Sequence, residues 1–482
     1  MTAPPRRALV LGGGIAGLAA CLRLIEGARE RGFPIEVVLL EASPRVGGAI
    51  ETARAGGCLL EKGPDCFLSA KPEGVELCRE LGLESRLIGT RPGCRRSFIL
   101  RGGRLHPVPA GFYLLAPSSF LPFVTSPIFS PLGKLRMGLD LLLPRRRGTG
   151  DESLASFVRR RFGEEALDRM AQPMVAGIYA ADPEDLSLEA TMPQFLEMER
   201  RHRSVILALR RRMAQARGAA AASGPRYALF LSLEGGMAAL VEALRERVSR
   251  AGAALRCGSR ASGLRREGGR WRVGLEGGGE IEADALCAAL PAHAAAPLFG
   301  EASPRLRELL EGIPYGSVAT LNLVFRREQV AHPLDGMGFV VPAAEGRPLM
   351  ACSFSSSKFA GRAPAGKVLL RAFAGGARGG EALALGDREL VRRLVEELRP
   401  VLGLAGEPEE ALLQRYGRAM PRYTVGHLGR VEEMERLAAE LPGVALAGSA
   451  YRGVGIPDCA AGAQAAAARL LDRLRGAAPP AG

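Results

Sequence analysis

A chain of 482 residues with 47% hydrophobic and 24% charged side chains has the composition of a globular protein of two or three domains and excludes a disordered or fibrous one. The net charge of +14 rests almost wholly on arginine, and no basic run is interleaved with aromatic residues as a nucleic-acid binder requires, so an anionic small substrate or an acidic membrane surface is the better account. Nine scattered cysteines form no CxxC pair, the N-terminus enters a strand without a signal peptide, and no apolar run is long enough to span a membrane. These features point to a cytoplasmic, reducing compartment and against a metal site or disulfide framework.

Residues 8–11 read as a strand. Gly12-Gly13-Gly14-Ile15-Ala16-Gly17 is a turn into an apolar helix reaching Arg31, and residues 35–40 are a second strand ending on Glu41. In this setting Gly12 allows the tight turn, Gly14 lets the backbone approach a pyrophosphate, and Gly17 lets the helix pack close to the sheet. The helix N-terminus offers N–H groups to phosphates, and Glu41 can accept both ribose hydroxyls. Arg45 follows with a cation near the pyrophosphate, and Gly47 and Gly48 let the backbone pass beside an extended cofactor. Gly63-Pro64 forces an irregular backbone suited to a flavin edge, and residues 72–90 read as an amphipathic helix.

Seven prolines between 107 and 144 break an apolar stretch into short helices. These read as a wall of the substrate domain, with a peripheral membrane patch at residues 112–129 as the alternative. Residues 151–222 read as helical, capped by Asp151 or Ser153, interrupted at residues 177–180 and ending in an alanine-rich loop at 218–222. Short strands between 254 and 290 return to the nucleotide unit. Alternating runs from 315 to 375 predict an antiparallel sheet, followed by a helix near 388–402. The chain closes with a strand at 444–448, a glycine turn, and a helix from 460 capped by Asp458. The fold class is therefore α/β, a discontinuous Rossmann-like FAD-binding domain (1–75, 225–300 and 410–482) with an inserted α+β substrate domain (76–95 and 301–409). A mainly helical insertion takes up residues 96–224.

The stretches Leu11-GGGIAGL, Glu41-ASPRVGG, Glu61-KGPDCFL, Gly177-IYAAD, His202-RSVIL and Tyr451-RGVGIPDC together resemble the flavin-dependent porphyrinogen oxidases of haem biosynthesis, within the amine-oxidase-like flavoproteins. The resemblance implies non-covalent FAD and removal of six electrons from a porphyrinogen, with oxygen as acceptor and peroxide as product. It places the cofactor on Gly12, Gly13, Gly14, Ile15, Ala16, Gly17, Glu41, Ala42, Arg45, Gly48 and Ala49. The same placement extends to Gly63, Pro64, Asp65, Cys66, Ala261, Ser449, Val454, Gly455 and Ile456. It places the macrocycle against Gly177, Met337, Phe339 and Val340. Coproporphyrinogen III, with four propionates, needs more cations than protoporphyrinogen IX, and Lys71, Arg95 and Arg96 are the candidates. Many protoporphyrinogen-type enzymes carry an arginine about where Ser97 stands and an aromatic near Met337; this chain has neither. Coproporphyrinogen III is the preferred reading and protoporphyrinogen IX the alternative. A flavin amine oxidase, a carotenoid desaturase or a non-enzymatic nucleotide-fold protein are more distant ones. No histidine is assigned a catalytic role, because a substrate that tautomerises between hydride transfers needs no strong protein base. A homodimer and a peripheral membrane contact stay open.

Overall fold

The computed structural model describes residues 5–148, 150–222, 229–376 and 379–476. Five parallel strands form the nucleotide unit in the order Ala254–Arg256, Ile35–Leu40, Arg6–Leu11, Ala285–Ala288, Val444–Leu446. The inner strands are near-continuous apolar runs because both faces are covered. The helices Ile15–Glu30, Ala238–Arg250 and Ile456–Gly476 cover one face. A three-stranded antiparallel sheet of residues 261–283 covers the other, anchored by buried Trp271, whose indole N–H donates to the Pro442 carbonyl at 2.7 Å. The first, middle and last parts of the chain thus meet at one sheet, and the strand order reverses direction at Arg6–Leu11.

The second unit is a seven-stranded sheet in the order Glu410–Pro421, Tyr315–Arg326, Lys367–Gly375, Leu349–Ser353, Gly338–Val340, Ser97–Arg101, Arg104–Pro107. Two sequence boundaries are corrected here. Residues 97–107 form a hairpin at the sheet edge rather than part of a helical insertion, and Ser97–Arg101 lies parallel to Gly338–Val340. Glu410–Pro421 pairs antiparallel with Tyr315–Arg326, so it belongs to this sheet and not to the nucleotide unit. The helix Asp387–Leu402 covers one sheet face with Leu390, Leu394, Leu398 and Leu402, one residue per turn.

The other face looks toward a helical layer and the nucleotide unit. Ser153 caps Leu154–Phe162 by accepting from the Ser156 N–H at 3.1 Å. The helix Gln172–Tyr179 runs through the expected interruption and stops only at Ala180, which is left-handed at φ 49°. The alanine tract continues the helix Val205–Ala222 instead of forming a loop, in keeping with alanine's helix propensity. Phe112, Phe123, Ile128 and Phe129 pack inward, as a domain wall requires. On the outside, Phe120, Leu121, Leu132, Leu135 and Leu142 stand in solvent, Leu132 at 78% exposure.

Candidate active site

The glycine turn divides its roles by geometry. A side chain on Gly12, at φ 102°, would lie 2.5 Å from the Ala289 carbonyl, and one on Gly17 would overlap the Gly12 carbonyl. Those two glycines serve the turn and the helix packing. Gly14 is different. It is extended (φ −70°, ψ −177°), a conformation open to any residue, and a side chain there would meet nothing within 4 Å. Backbone strain is therefore no reason for glycine at 14; open space in front of an uncapped helix N-terminus is. Gly48, at φ 56°, crosses so close that a Cβ on it would stand 3.3 Å from the Gly14 Cα, and the Gly47 N–H donates to the Gly13 carbonyl at 2.7 Å.

Glu41 accepts from the Gly13 N–H at 2.6 Å and the Ser43 N–H at 2.7 Å, which fixes its carboxylate beside the turn. Ala42 follows it, and residues 258–261 lie alongside, with the Ser259 N–H on the Glu41 carbonyl at 2.8 Å; this brings Ala261 to the same end. Arg45 donates to the carbonyls of Val46, Gly48 and Ile50 and, at 2.7 Å, to Glu51. Its guanidinium shapes the loop that overlies the turn. Ala49 packs so tightly on Gly63 that any side chain at 63 would overlap the Ala49 carbonyl, which makes glycine obligatory before Pro64.

The C-terminal turn comes to the same crevice. Gly448, at φ 113°, sits beside Ala16, and Ser449 follows. Tyr423, buried, donates its hydroxyl to the Ser449 carbonyl at 2.6 Å and accepts the Gly453 N–H at 2.8 Å. Its ring stacks on His427 at 4.0 Å, and His427 Nε2 meets the Tyr451 carbonyl at 2.8 Å. Burial pulls the His427 pKa down to about 4, so the ring is neutral and Nε2 carries the proton as donor. Val454, Gly455 and Ile456 then enter the last helix, which begins at Ile456 and not at residue 460. Asp458 is accordingly within the first turn rather than at the cap; its carboxylate reaches back to accept the Gly455 N–H at 3.1 Å, as the acid of a capping box does.

Lys71 is not free. Its ammonium is paired with Asp458, joining the start of Pro72–Glu80 to the last helix, with the lysine side chain 44% exposed. The sheet face opposite carries Val340, Ala351 and Phe373, which are cross-strand partners, together with Thr320, Asn322 and Arg371. Thr320 Oγ1 and Arg371 donate to the Lys62 carbonyl at 2.9 and 3.0 Å, and Asn322 to the Glu61 carbonyl at 3.0 Å, so this face is clamped to the strip 61–66. Phe339 does not join Val340 there. Alternation along a strand turns it to the other face, where it is buried among Phe98, Phe354 and Leu390. Met337 lies beside Arg96, donating its N–H to the Arg96 carbonyl at 2.7 Å, while the Arg96 side chain projects to solvent 3.5 Å from Asp335. Arg95 is exposed beside it. Gly177, exposed on its helix, has nothing within 4 Å of a would-be Cβ.

Sequence reasoning missed Tyr423, Arg371 and a buried lysine, Lys358, which sits 2.9 Å from Asp65. The only sequence signal for the last was its rarity, one of five lysines in the chain. The assembled crevice fits a dinucleotide: open space at Gly14, uncapped helix N–H groups, a fixed carboxylate at Glu41, and a second helix N-terminus at Ile456.

Comparison with known proteins agrees with this geometry. The family of flavin-containing amine oxidoreductases matches residues 15–471. The coproporphyrinogen III oxidase of Bacillus subtilis is 35% identical over 97% of this chain and 98% of its own. The protoporphyrinogen oxidase of Bos taurus is 32% identical over 97% and 98%. The crystal structure of an Exiguobacterium sp. 255-15 protein described as a protoporphyrinogen oxidase superposes with a TM-score of 0.85 at 30% identity, covering 97% of this chain and 99% of that one. With the crevice, the glycine turn and these relatives in agreement, the chain belongs to the flavin-containing amine oxidoreductases, within the porphyrinogen oxidase family, and is an FAD-dependent oxidoreductase.

Proposed function

We propose that the protein oxidises coproporphyrinogen III to coproporphyrin III, removing six electrons with molecular oxygen as acceptor. The observation that supports this most is the likeness, over nearly the whole chain, to the coproporphyrinogen III oxidase of Bacillus subtilis, and the side chains present suit such a substrate. Val340, Ala351 and Phe373 offer a flat apolar face to a macrocycle, while Lys71 stands by the last helix and Arg95 and Arg96 beside Met337. Propionates suit the rim and pyrroles the wall.

FAD supplies the hydride acceptor. Around it the chain's own residues bind and orient. The turn of residues 12–17 takes the pyrophosphate, Glu41 the ribose, and residues 63–66, 449 and 454–456 border the ring system; Ala42, Arg45, Gly48, Ala49 and Ala261 shape the adenosine side. The dipole at Ile456 favours negative charge on the ring system. Gly177 leaves room for the macrocycle and Val340 lines it; Phe339, and by the same alternation Met337, support that wall from behind. Lys71 exchanges Asp458 for a propionate when substrate enters.

Rates with coproporphyrinogen III and protoporphyrinogen IX, measured side by side, test the reading. Lys71→Ala is expected to lower kcat/KM for the first about ten- to a hundredfold, one charge-assisted contact of roughly 1.5–3 kcal/mol, with a much smaller effect on the second. Because the Lys71–Asp458 pair is well exposed on the lysine side, its loss costs at most about 1 kcal/mol of stability. Equal slowing of both substrates with flavin retained would show that Lys71 acts through structure.

Among the described residues no helix is long and apolar enough to cross a membrane. The exposed group Phe120, Leu121, Leu132, Leu135 and Leu142, with residues 145–147 all arginine nearby, supports a cytoplasmic enzyme that touches an anionic membrane surface.

A further inference from the structure

The strip 61–66 is held from behind by an unusual concentration of buried charge. Lys358, only 9% exposed, places its ammonium 2.9 Å from Asp65 Oδ2 and 3.3 Å from the Cys66 sulfur. The Cys66 thiol donates to Asp65 Oδ1 at 3.1 Å, so both carboxylate oxygens are engaged. The ammonium also lies 4.9 Å from the Phe359 ring centre and 5.3 Å from that of Phe230. Arg371 donates to the carbonyls of Lys62 and Gly63, and Arg362 reaches Ser232 Oγ at 2.5 Å and stands 3.8 Å from Glu61. Three cations therefore face two carboxylates, Glu61 and Asp65, behind one short strip.

A buried ion pair needs a reason, because two apolar residues of the same volume would serve stability as well or better. Fixing the strip does not need Lys358 either: Arg371, Thr320 and Asn322 already hold its carbonyls. What the pair adds is a fixed ammonium that keeps Asp65 ionised and neutralised at the same time. Burial raises a carboxyl pKa, yet Lys358 and Arg371 hold that of Asp65 well below the usual carboxylate range.

We propose that Lys358 is a positioning residue of the flavin site: it cancels the Asp65 charge beside the ring system, so that the cluster keeps its excess positive charge and holds the flavin at a high reduction potential. The inference rests on the reading that residues 63–66 border the flavin. In a water-poor site a single uncompensated charge changes the stability of an adjacent anion strongly.

The test is the midpoint potential of the bound flavin in the purified holoenzyme, measured by equilibration with redox dyes, together with the FAD-to-protein ratio. Lys358→Met leaves Asp65 charged and unbalanced, and is expected to shift the potential downward. Lys358→Arg keeps the charge and restores the wild-type value. The double variant Lys358→Met/Asp65→Asn replaces the pair by two neutral groups and returns the potential most of the way. A structural role alone would leave the double variant as perturbed as Lys358→Met. Should Lys358→Met fail to accumulate, Asp65→Asn carries the test with an upward shift. Unchanged potentials in every flavin-loaded variant overturn the inference but leave the substrate reading standing, since that is judged by the two porphyrinogen rates; a wild-type protein without FAD overturns both.

Discussion

Tyr423→Phe removes one oxygen atom from the turn that brings the last helix to the crevice. That hydroxyl serves two backbone groups, accepting from the Gly453 N–H at 2.8 Å and donating to the Ser449 carbonyl at 2.6 Å. Leaving a buried donor or acceptor unpaired costs about 1–3 kcal/mol. Taking the lower half of that range for each group gives roughly 2–4 kcal/mol for the pair. The ring and its stack on His427 remain, so no cavity forms and the loss is confined to the turn. If about half appears in the flavin-binding conformation, the FAD dissociation constant rises about fivefold to thirtyfold, at 1.4 kcal/mol per decade. Titrating FAD into apoprotein and following flavin fluorescence measures the affinity, and urea unfolding of the same samples measures the remainder. Tyr451→Phe is the control, because its buried hydroxyl has no hydrogen-bond partner among the described residues and its removal costs nothing on that account. Equal effects of the two substitutions would refute the argument that Tyr423 acts through its two hydrogen bonds.

Gly14→Val is expected to fold normally and lose FAD, since position 14 is unstrained and open; far-ultraviolet circular dichroism and the flavin absorbance of the purified protein check both halves. His427 contributes stability that depends on pH. Its folded pKa of about 4 lies below the unfolded value of 6.5, so the contribution is complete above 6.5 and is lost as pH falls toward 4. Between pH 7 and 5 this amounts to about 2 kcal/mol, which urea unfolding at the two pH values should show in the wild type and not in His427→Gln. Leu132→Glu with Leu135→Glu should abolish sedimentation with vesicles rich in phosphatidylglycerol while leaving turnover in solution unchanged; equal sedimentation would dismiss the patch as a membrane contact. Acid precipitation should release the flavin into the supernatant, and flavin kept in the pellet would reveal a covalent link.

The nucleotide crevice was legible because its demands are local. Gly12, Gly14, Gly17 and Glu41 fall within 30 consecutive residues, and each answers to a backbone or ligand need that few other residues meet. The substrate side was less legible because its demands are long-range. Ser97–Arg101 is a short strand of a local hairpin with Arg104–Pro107, but it joins the large sheet only through Gly338–Val340, about 240 residues away, and no periodicity within so short a strand reveals that. The resemblance puts both Phe339 and Val340 on the macrocycle, but adjacent strand residues cannot share a face. Lys71 is a candidate for a propionate by its position after the flavin-edge loop; Asp458, far along the chain, claims it. The Tyr423 brace and the Lys358 pair likewise join distant segments through side-chain atoms, which spacing in the sequence does not record.

The order of strands in the nucleotide sheet bears on how the enzyme is made. Arg6–Leu11 is flanked by Ile35–Leu40 on one side but waits for Ala285–Ala288 on the other, and Val444–Leu446 completes the edge only near the end. During synthesis, at roughly 5–20 residues per second, the early glycine turn is exposed for tens of seconds before its lid of later segments exists. On the proposed placement of the coenzyme, flavin capture is a late event in biogenesis, because a nascent chain stalled before residue 444 lacks both the edge strand and the last helix N-terminus. Closing so long a loop is slow, which makes intermediate states with bare apolar strands long-lived and in need of chaperone cover. Once closed, bound FAD stabilises the whole topology by mass action, so cellular flavin supply sets how much of the newly made enzyme survives proteolysis.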